Sequence, residues 1–223
     1  MLLARLDWLY EEILDSLRTW IPNLPDGLPM TWTGVSRRAR ELGIRVHGHF
    51  SGEPGEPDAQ AGRRALHVIR CEIRQLDAVL LIRDTDDQPQ RRDGLEQARG
   101  DLNCWCPIIL AVPHCEREAW VISGFDPQNN REGERLAAVT VELGFDPRLN
   151  SESLTACKHD SARRSAKRVL SFLTDGDRLR ETSCWMTADL EILRKRGASN
   201  GLLAYLNELQ ERLVPLISKC QEG

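Results

Sequence analysis

No apolar run in the 223-residue sequence approaches the roughly 20 residues that span a bilayer. No membrane-spanning helix is therefore expected. The start of the chain also lacks a basic stretch followed by an uninterrupted apolar core, because Arg5, Asp7, Glu11 and Glu12 break it up. It does not read as a signal peptide. Positive charge is not in excess: 30 Lys and Arg stand against 34 Asp and Glu, a net charge of −4. No overall basic field draws the chain onto nucleic acid, so any such binding must come from a local patch. A Gly-x-x-x-x-Gly-Lys-Ser/Thr motif is missing, which excludes a P-loop NTPase. So is Gly-x-Ser-x-Gly, which leaves a serine hydrolase without support. The seven cysteines are odd in number and scattered. Without a signal peptide they fit reduced thiols in a cytoplasm better than a disulfide framework. Cys104, Cys106, His114 and Cys115 look like a zinc set, but an apolar strand between the two pairs would hold them about 20 Å apart. Zinc gathers its ligands within a few ångströms.

What is present is an ordinary globular balance, 41% hydrophobic and 29% charged, in a length suited to one large domain or a domain with an appendage. The organising stretch is 78–87, AVLLIRDTDD. Its apolar run, with helical patterns on both sides, predicts a central strand of a parallel or mixed sheet, covered on both faces. Such strands bind ligands at their carboxyl ends, and this one ends in Asp84, Asp86 and Asp87. On an extended backbone Asp84 and Asp86 share a face. Carboxylates that close raise each other's pKa unless a cation sits between them, and oxygen donors suit Mg²⁺ or Mn²⁺. Capping of the following helix accounts for Asp86 or Asp87, but not for three acids together.

In chain order, residues 2–20 carry apolar residues every three or four positions and predict a helix. It either packs on the main domain or docks a partner, and a Pro-rich linker ends it at about residue 30. A short helix over 33–42 follows, with Ser36 as its cap and Gly43 as its stop. Residues 44–50 alternate as a strand, with His47 and His49 in structural roles. The loop 51–58 holds Glu53 and Glu56, and Asp58 is placed to cap a helix over 59–75. That helix presents Arg63, Arg64, Arg70 and Arg74 outward. A polar helix runs from Gln88 to about Leu102, and a strand over 104–113 leads to Glu116 and Glu118. These two share a face only if the backbone stays extended. Trp120 is expected to be buried. A helix lies around 134–141, and the repeated Gly-Phe-Asp-Pro at Gly124 and Gly144 reads as coincidence or matching turns. A basic helix over 158–173 carries Lys158, Arg163, Arg164, Lys167 and Arg168. The end of the chain is helical, with a leucine stripe from Leu202 to Leu216.

Taken together, a strand ending near Glu53 or Glu56, a strand ending in Asp84-Thr-Asp86 and a third ending near Glu116 and Glu118 resemble the TOPRIM fold. This is the metal-binding domain of topoisomerases, primases and OLD-family nucleases. Arg-Glu-Ala-Trp at 117–120, Lys158-His-Asp and Lys167-Arg-Val-Leu are similar to small TOPRIM-type proteins encoded beside ATPases in bacterial defence operons. The resemblance covers about 44–173. It departs where Pro54 follows Glu53, since the family places Glu directly before Gly. The first acid stays open between Glu53 and Glu56, with Glu53 favoured by its place nearer the strand end.

The resemblance implies an α/β fold: a TOPRIM-like, mostly parallel sheet flanked by helices over 31–150, an N-terminal helix and linker over 1–30, and a helical region over 151–223. It implies Mg²⁺- or Mn²⁺-dependent phosphodiester hydrolysis by a cytoplasmic nuclease in anti-phage defence. Glu53, Asp84, Asp86 and Glu118 would be the metal ligands, and Glu116 or Glu118 the base. The basic residues at 158, 163, 164, 167 and 168 would hold the phosphates of DNA or RNA, tRNA included. An ATPase subunit is the implied partner, contacted by the N-terminal helix; a homo-oligomer is left open. Two other readings stand: a catalytically silent TOPRIM-like adaptor binding an ATPase, and a metal-dependent phosphatase of small nucleotides.

Overall fold

The computed structural model describes residues 19–25, 27, 30–101, 105–157, 159 and 162–219. Lys158, and the predicted N-terminal helix except for its last two positions, lie outside the described residues. The chain is mixed α/β with helix predominating. Its described residues divide into two compact units. One runs up to Leu81 and takes in Gln90–Leu110 and the residues from Glu211 on; the other is Ile82–Pro89 with Ala111–Gln210. No helix among the described residues is long and apolar enough to cross a membrane.

In the first unit, helix α1 (Trp32–Glu41) is capped by Thr31, whose hydroxyl accepts from the Gly34 N–H at 3.0 Å. Thr31 thus takes the role expected of Ser36. Gly43 follows the helix end with φ +66°, as a left-handed C′ position favours. The expected strand over 44–50 shrinks to β1 (His49–Phe50), which pairs antiparallel with β2 (Glu53–Pro54). The reason is the turn between them. Ser51 and Gly52 both have positive φ, 51° and 92°, which folds the chain back as a tight hairpin rather than feeding a crossover. Helix α2 (Ala59–Glu72) and helix α3 (Gln90–Asp101) pack together. Asp58 occupies the cap position of α2, but its side chain makes no cap bond and pairs with Arg91 at 3.3 Å.

Arg63, expected outside, is 2% exposed. It lies over the Phe50 ring at 3.6 Å, donates to the His47 carbonyl at 2.6 Å and pairs with Asp101 at 2.7 Å. The buried charge is thereby compensated. The His47 ring nitrogen also meets Arg63 at 3.0 Å, so His47 has the structural role expected of it. At Gly94 an added Cβ would stand 1.9 Å from the Pro57 carbonyl oxygen. Backbone cannot yield there as a side-chain tip can, so Gly94→Ala is expected to cost about 2 kcal/mol or more, read as the shift in a urea midpoint.

Strands β3 (Val79–Ile82) and β4 (Ile108–Ala111) form a parallel pair. The ladder runs from Val79 N–H to Pro107 C=O at 2.9 Å in the first unit. In the second it continues from Arg83 to Ala111 and from Thr85 to Pro113, each at 3.0 Å. A strand therefore stands where the sequence places one, but as one of a pair it is not central. β4 is buried throughout, whereas β3 leaves Ile82 58% exposed, so β3 is not covered on both faces. The sheets of the described residues are these two pairs, less than the mostly parallel sheet that was expected.

The second unit is built on helix α4 (Arg117–Ser123), whose residues from Ala119 to Ser123 are all buried. α4 packs against helix α6 (Ala166–Thr174), helix α7 (Arg178–Thr187) and a 3₁₀ turn at Ser151–Ser153. Helix α5 (Asn130–Leu143) packs on α6. Val121, Ile122, Phe125, Val139, Val169, Leu170 and Leu173 make one core. Each such side chain contributes roughly 1.5–3 kcal/mol on burial. The predicted basic helix over 158–173 is in fact α6, which begins at Ala166 because Ser165 caps it from its hydroxyl. Arg163 and Arg164 lie in the turn before it. The two Gly-Phe-Asp-Pro segments both follow helix ends but are not matching turns: Gly124 closes α4 with φ −91° and Gly144 closes α5 with φ +84°, and Arg148 pairs with both Asp126 and Asp146 at 2.8 Å. Helix α8 (Leu190–Arg196) packs on helix α9 (Leu202–Glu208). A π-helical turn, Leu209–Leu213, links α9 to helix α10 (Val214–Lys219), so the leucine stripe does not run along one regular helix.

Candidate functional site

The parallel strands deliver two chain segments side by side beyond their carboxyl ends. After β3 the chain does not stay extended. The Thr85 carbonyl accepts from the Gln88 N–H at 2.9 Å, and the residues between, Asp86 and Asp87, have φ of 45° and 63°. Aspartate tolerates this left-handed turn better than most residues. The expectation that Asp84 and Asp86 share a strand face fails for this reason. Asp87 is committed elsewhere: its carboxylate accepts from the Ala156 N–H at 3.1 Å. That bond ties the turn to the segment that pairs, through Thr155 and Ser165, with the start of α6.

After β4, the turn at 113–116 is fixed from several sides. Its His114–Cys115 peptide is cis. The Thr85 hydroxyl lies 2.8 Å from the His114 Nδ1. The His114 N–H and the Trp120 indole N–H both donate to the Asn200 carbonyl at 2.8 Å. The fully buried Asn200 amide donates in turn to Ser123 at 2.8 Å and Ser151 at 2.7 Å. Asn200→Ala leaves these hydroxyls short of a partner and is expected to cost about 1–3 kcal/mol, seen as a lowered thermal midpoint. Trp120 is buried as predicted, stacked on Tyr205 at 5.2 Å.

Helix α4 begins at Arg117, so Glu116 and Glu118 fall on opposite sides of its start. Glu116 stands at the cap position but makes no cap bond. Asp84 substitutes for it, accepting from the Arg117 N–H at 3.2 Å. Glu116 is freed to point elsewhere. Its side chain is 6% exposed, and one carboxylate oxygen accepts from the Lys167 ammonium of α6 at 2.5 Å. The other, Oε2, is buried and has no hydrogen-bond partner. A buried carboxylate oxygen left in this way is costly.

The electrostatics follow from this arrangement. Burial holds the Asp84 carboxyl above its ordinary value, and the negative charges of Glu118 and Asp86 add to it; the Arg117 N–H and Lys167 oppose the rise. Burial likewise raises Glu116, against its bond to Lys167. Lys167 is held above its usual value, chiefly by that bond to Glu116. Burial, with Asp87 nearby, pushes the Cys115 thiol up to about 12, so it is no thiolate nucleophile.

Asp84, Asp86, Glu116, Glu118 and Lys167, all singled out in the sequence, therefore lie in one unit and act on one another electrostatically. Glu53 and Glu56 belong to the other unit, where Glu53 is exposed in β2 and the Glu56 N–H donates to Gln97 at 2.8 Å. The basic set does not form one row. Arg168 pairs with Glu142 at 2.7 Å, Arg164 lies 5.7 Å from the Phe145 ring, and Arg163 is exposed. The Lys167–Glu116 pair, the Arg117 N–H on Asp84 and the Asn200 support were not legible in the sequence. The paired groups are 51, 33 and, for Trp120 and Asn200, 80 residues apart, with no spacing rule to join them.

Whether these residues suit a divalent metal turns on the orphan oxygen of Glu116. It is a buried anionic donor without a partner, beside a second partly buried carboxylate, and both are hard oxygen ligands of the kind Mg²⁺ and Mn²⁺ prefer. Among the described residues no group of three or more His, Cys, Asp or Glu converges as a ready-made metal cage. The fit is thus to a cation held by one or two protein carboxylates and otherwise by water and phosphate oxygens, the usual manner of Mg²⁺. Comparison with protein-family models, with curated proteins and with solved structures found no match.

Proposed function

We propose that this chain carries a divalent-metal-dependent phosphodiesterase site acting on nucleic acid, with a TOPRIM-like strand-end arrangement of acids. The observation that carries the reading is the buried, unpartnered Oε2 of Glu116 within a cluster of acids. Asp84 and Glu116 would hold the cation. Bound there, Mg²⁺ or Mn²⁺ would supply an activated water and charge neutralisation at the phosphate.

The other roles fall to this chain's side chains. Glu118, 15% exposed at the opening turn of α4 and 3.5 Å from the Arg117 guanidinium, would be the general base. Lys167 keeps 53% of its side chain exposed and can contact a phosphate oxygen from the surface. Arg163, exposed in the turn leading to α6, extends the positive charge. With a net charge of −4 on the chain and few phosphate contacts, backbone affinity is expected to be weak and its salt dependence shallow. The ATPase partner and the defence role rest on the sequence resemblance alone.

The catalytically silent adaptor has one observation in its favour: Lys167 already neutralises part of the cluster, as an internal ion pair would in a structural site. One experiment separates the two readings. Mn²⁺ is titrated calorimetrically into the wild type and into Glu116→Gln, and both are incubated with plasmid DNA, single-stranded DNA and RNA with Mg²⁺ or Mn²⁺. Binding and strand cleavage that both disappear in Glu116→Gln support the nuclease. Binding without cleavage of any polymer, or no binding, supports the adaptor.

A further inference from the structure

The same carboxylate carries a second inference, which rests on the metal reading above. Glu116 has two oxygens in different circumstances. One is held by an ammonium at 2.5 Å, and the other is buried and unpartnered. The ammonium belongs to a side chain half exposed to solvent, so it can leave without unpacking the core. Its backbone position at the second residue of α6 is secured independently, by the Ser165 cap and by the neighbouring Ala166 and Val169 in the core. The groups facing it come from three elements: Glu116 before α4, Glu118 in α4 and Asp84 after β3. All are acids; Glu118 also has the Arg117 guanidinium at 3.5 Å, and Lys167 is the cation paired with Glu116.

We infer that the Lys167 ammonium is a placeholder for the divalent cation: it neutralises Glu116 without metal, and gives that carboxylate up to Mg²⁺ or Mn²⁺ by swinging toward solvent, where it meets the phosphate of the substrate. A monovalent ammonium can satisfy one oxygen of Glu116 but leaves the other bare, whereas a divalent ion of small radius serves the carboxylate with twice the charge. Lys167 then has two positions with two partners, and the metal sets which is taken. This makes α6 a reporter of metal loading rather than a fixed basic rail along nucleic acid.

The test is a comparison of Mn²⁺ affinity in the wild type, Lys167→Met and Lys167→Arg, by calorimetry on the full chain. Removing the competing charge should tighten Mn²⁺ binding by about tenfold in Lys167→Met, and restoring it in Lys167→Arg should bring the affinity back toward wild type. An affinity in Lys167→Met equal to or weaker than wild type overturns the placeholder while leaving the metal site standing. No Mn²⁺ binding by the wild type overturns the metal reading and this inference together. A measurement on the wild type alone covers the case of a misfolded variant. Acylation of Lys167 by an amine-reactive reagent, followed by mass spectrometry, should speed up by about threefold with saturating Mg²⁺, because the ion pair that shields the amine is broken. A rate unchanged by Mg²⁺ under conditions where calorimetry shows binding overturns the inference.

Discussion

Asp84→Asn is expected to make the protein more stable and inactive at once. The carboxyl is held above its ordinary 3.8 by burial first, then by Glu118 and Asp86. A raised acid pKa means that the folded state favours the protonated form, so ionisation of Asp84 at neutral pH costs stability. Asparagine removes that charge and keeps an oxygen to accept from the Arg117 N–H. The gain should appear as a raised thermal midpoint. It should be full at neutral pH and fade as pH falls and the wild-type carboxyl takes up its own proton, until the two proteins coincide in acid. Under the proposed reading the same substitution removes a metal donor, and cleavage should fall by roughly a hundredfold or more. The stabilising effect of Mn²⁺ on the thermal midpoint should vanish with it. A variant destabilised at neutral pH would show that the acid cluster is not under strain. A variant that is stabilised and still binds Mn²⁺ as the wild type does would remove Asp84 from the metal site.

The second large effect lies away from the cluster. Arg180→Ala is expected to cost about 3–5 kcal/mol, the usual penalty for breaking a buried ion pair from one side. Arg180 and Glu132 are 9% and 6% exposed at their side chains and meet through two bonds of 2.9 Å. Arg180 also donates to the Asp126 carbonyl at 2.6 Å and lies 4.7 Å over the Phe125 ring. Its removal would leave the Glu132 carboxylate buried with the Gln128 N–H at 2.9 Å and the attraction of Arg135. The pH dependence has the opposite sign to that of Asp84. Glu132 is held below its ordinary 4.5, first by its bonds to Arg180. It therefore contributes stability at and above that ordinary value and loses it as pH falls through the depressed one. Urea unfolding across the acid range should show a steep acid limb in the wild type and a shallower one in Arg180→Ala. A loss under about 1 kcal/mol at neutral pH would mean that the pair is no more than an exposed surface bridge.

Parts of both units could be read in advance where periodicity and burial agree. The run at 79–82 is apolar and β-rich and is a strand; Ala119 to Ile122 packs inward with Trp120. Reading failed where a short local feature outweighed a longer pattern. Two positive-φ residues at 51 and 52 turned an alternating run into a two-residue hairpin strand, and Ser165 started α6 well after the basic pattern begins. Arg63 was placed outside by its charge, and only Phe50, His47 and Asp101 together make its burial affordable.

For the acids the division is sharper. The sequence by itself determined that carboxylates follow an apolar strand and that more lie just after the next one, since a parallel pair brings the ends of both strands together. It could not determine which acid is buried, because that depends on where helix α4 begins. Starting at Arg117, the helix separates Glu116 from Glu118, takes Asp84 as its cap and turns Glu116 toward α6. Nor could it pair Glu116 with Lys167 across 51 residues. Electrostatic partners are chosen by distance in space, and local spacing carries no information about a contact made only after α4 and α6 have packed on a common core.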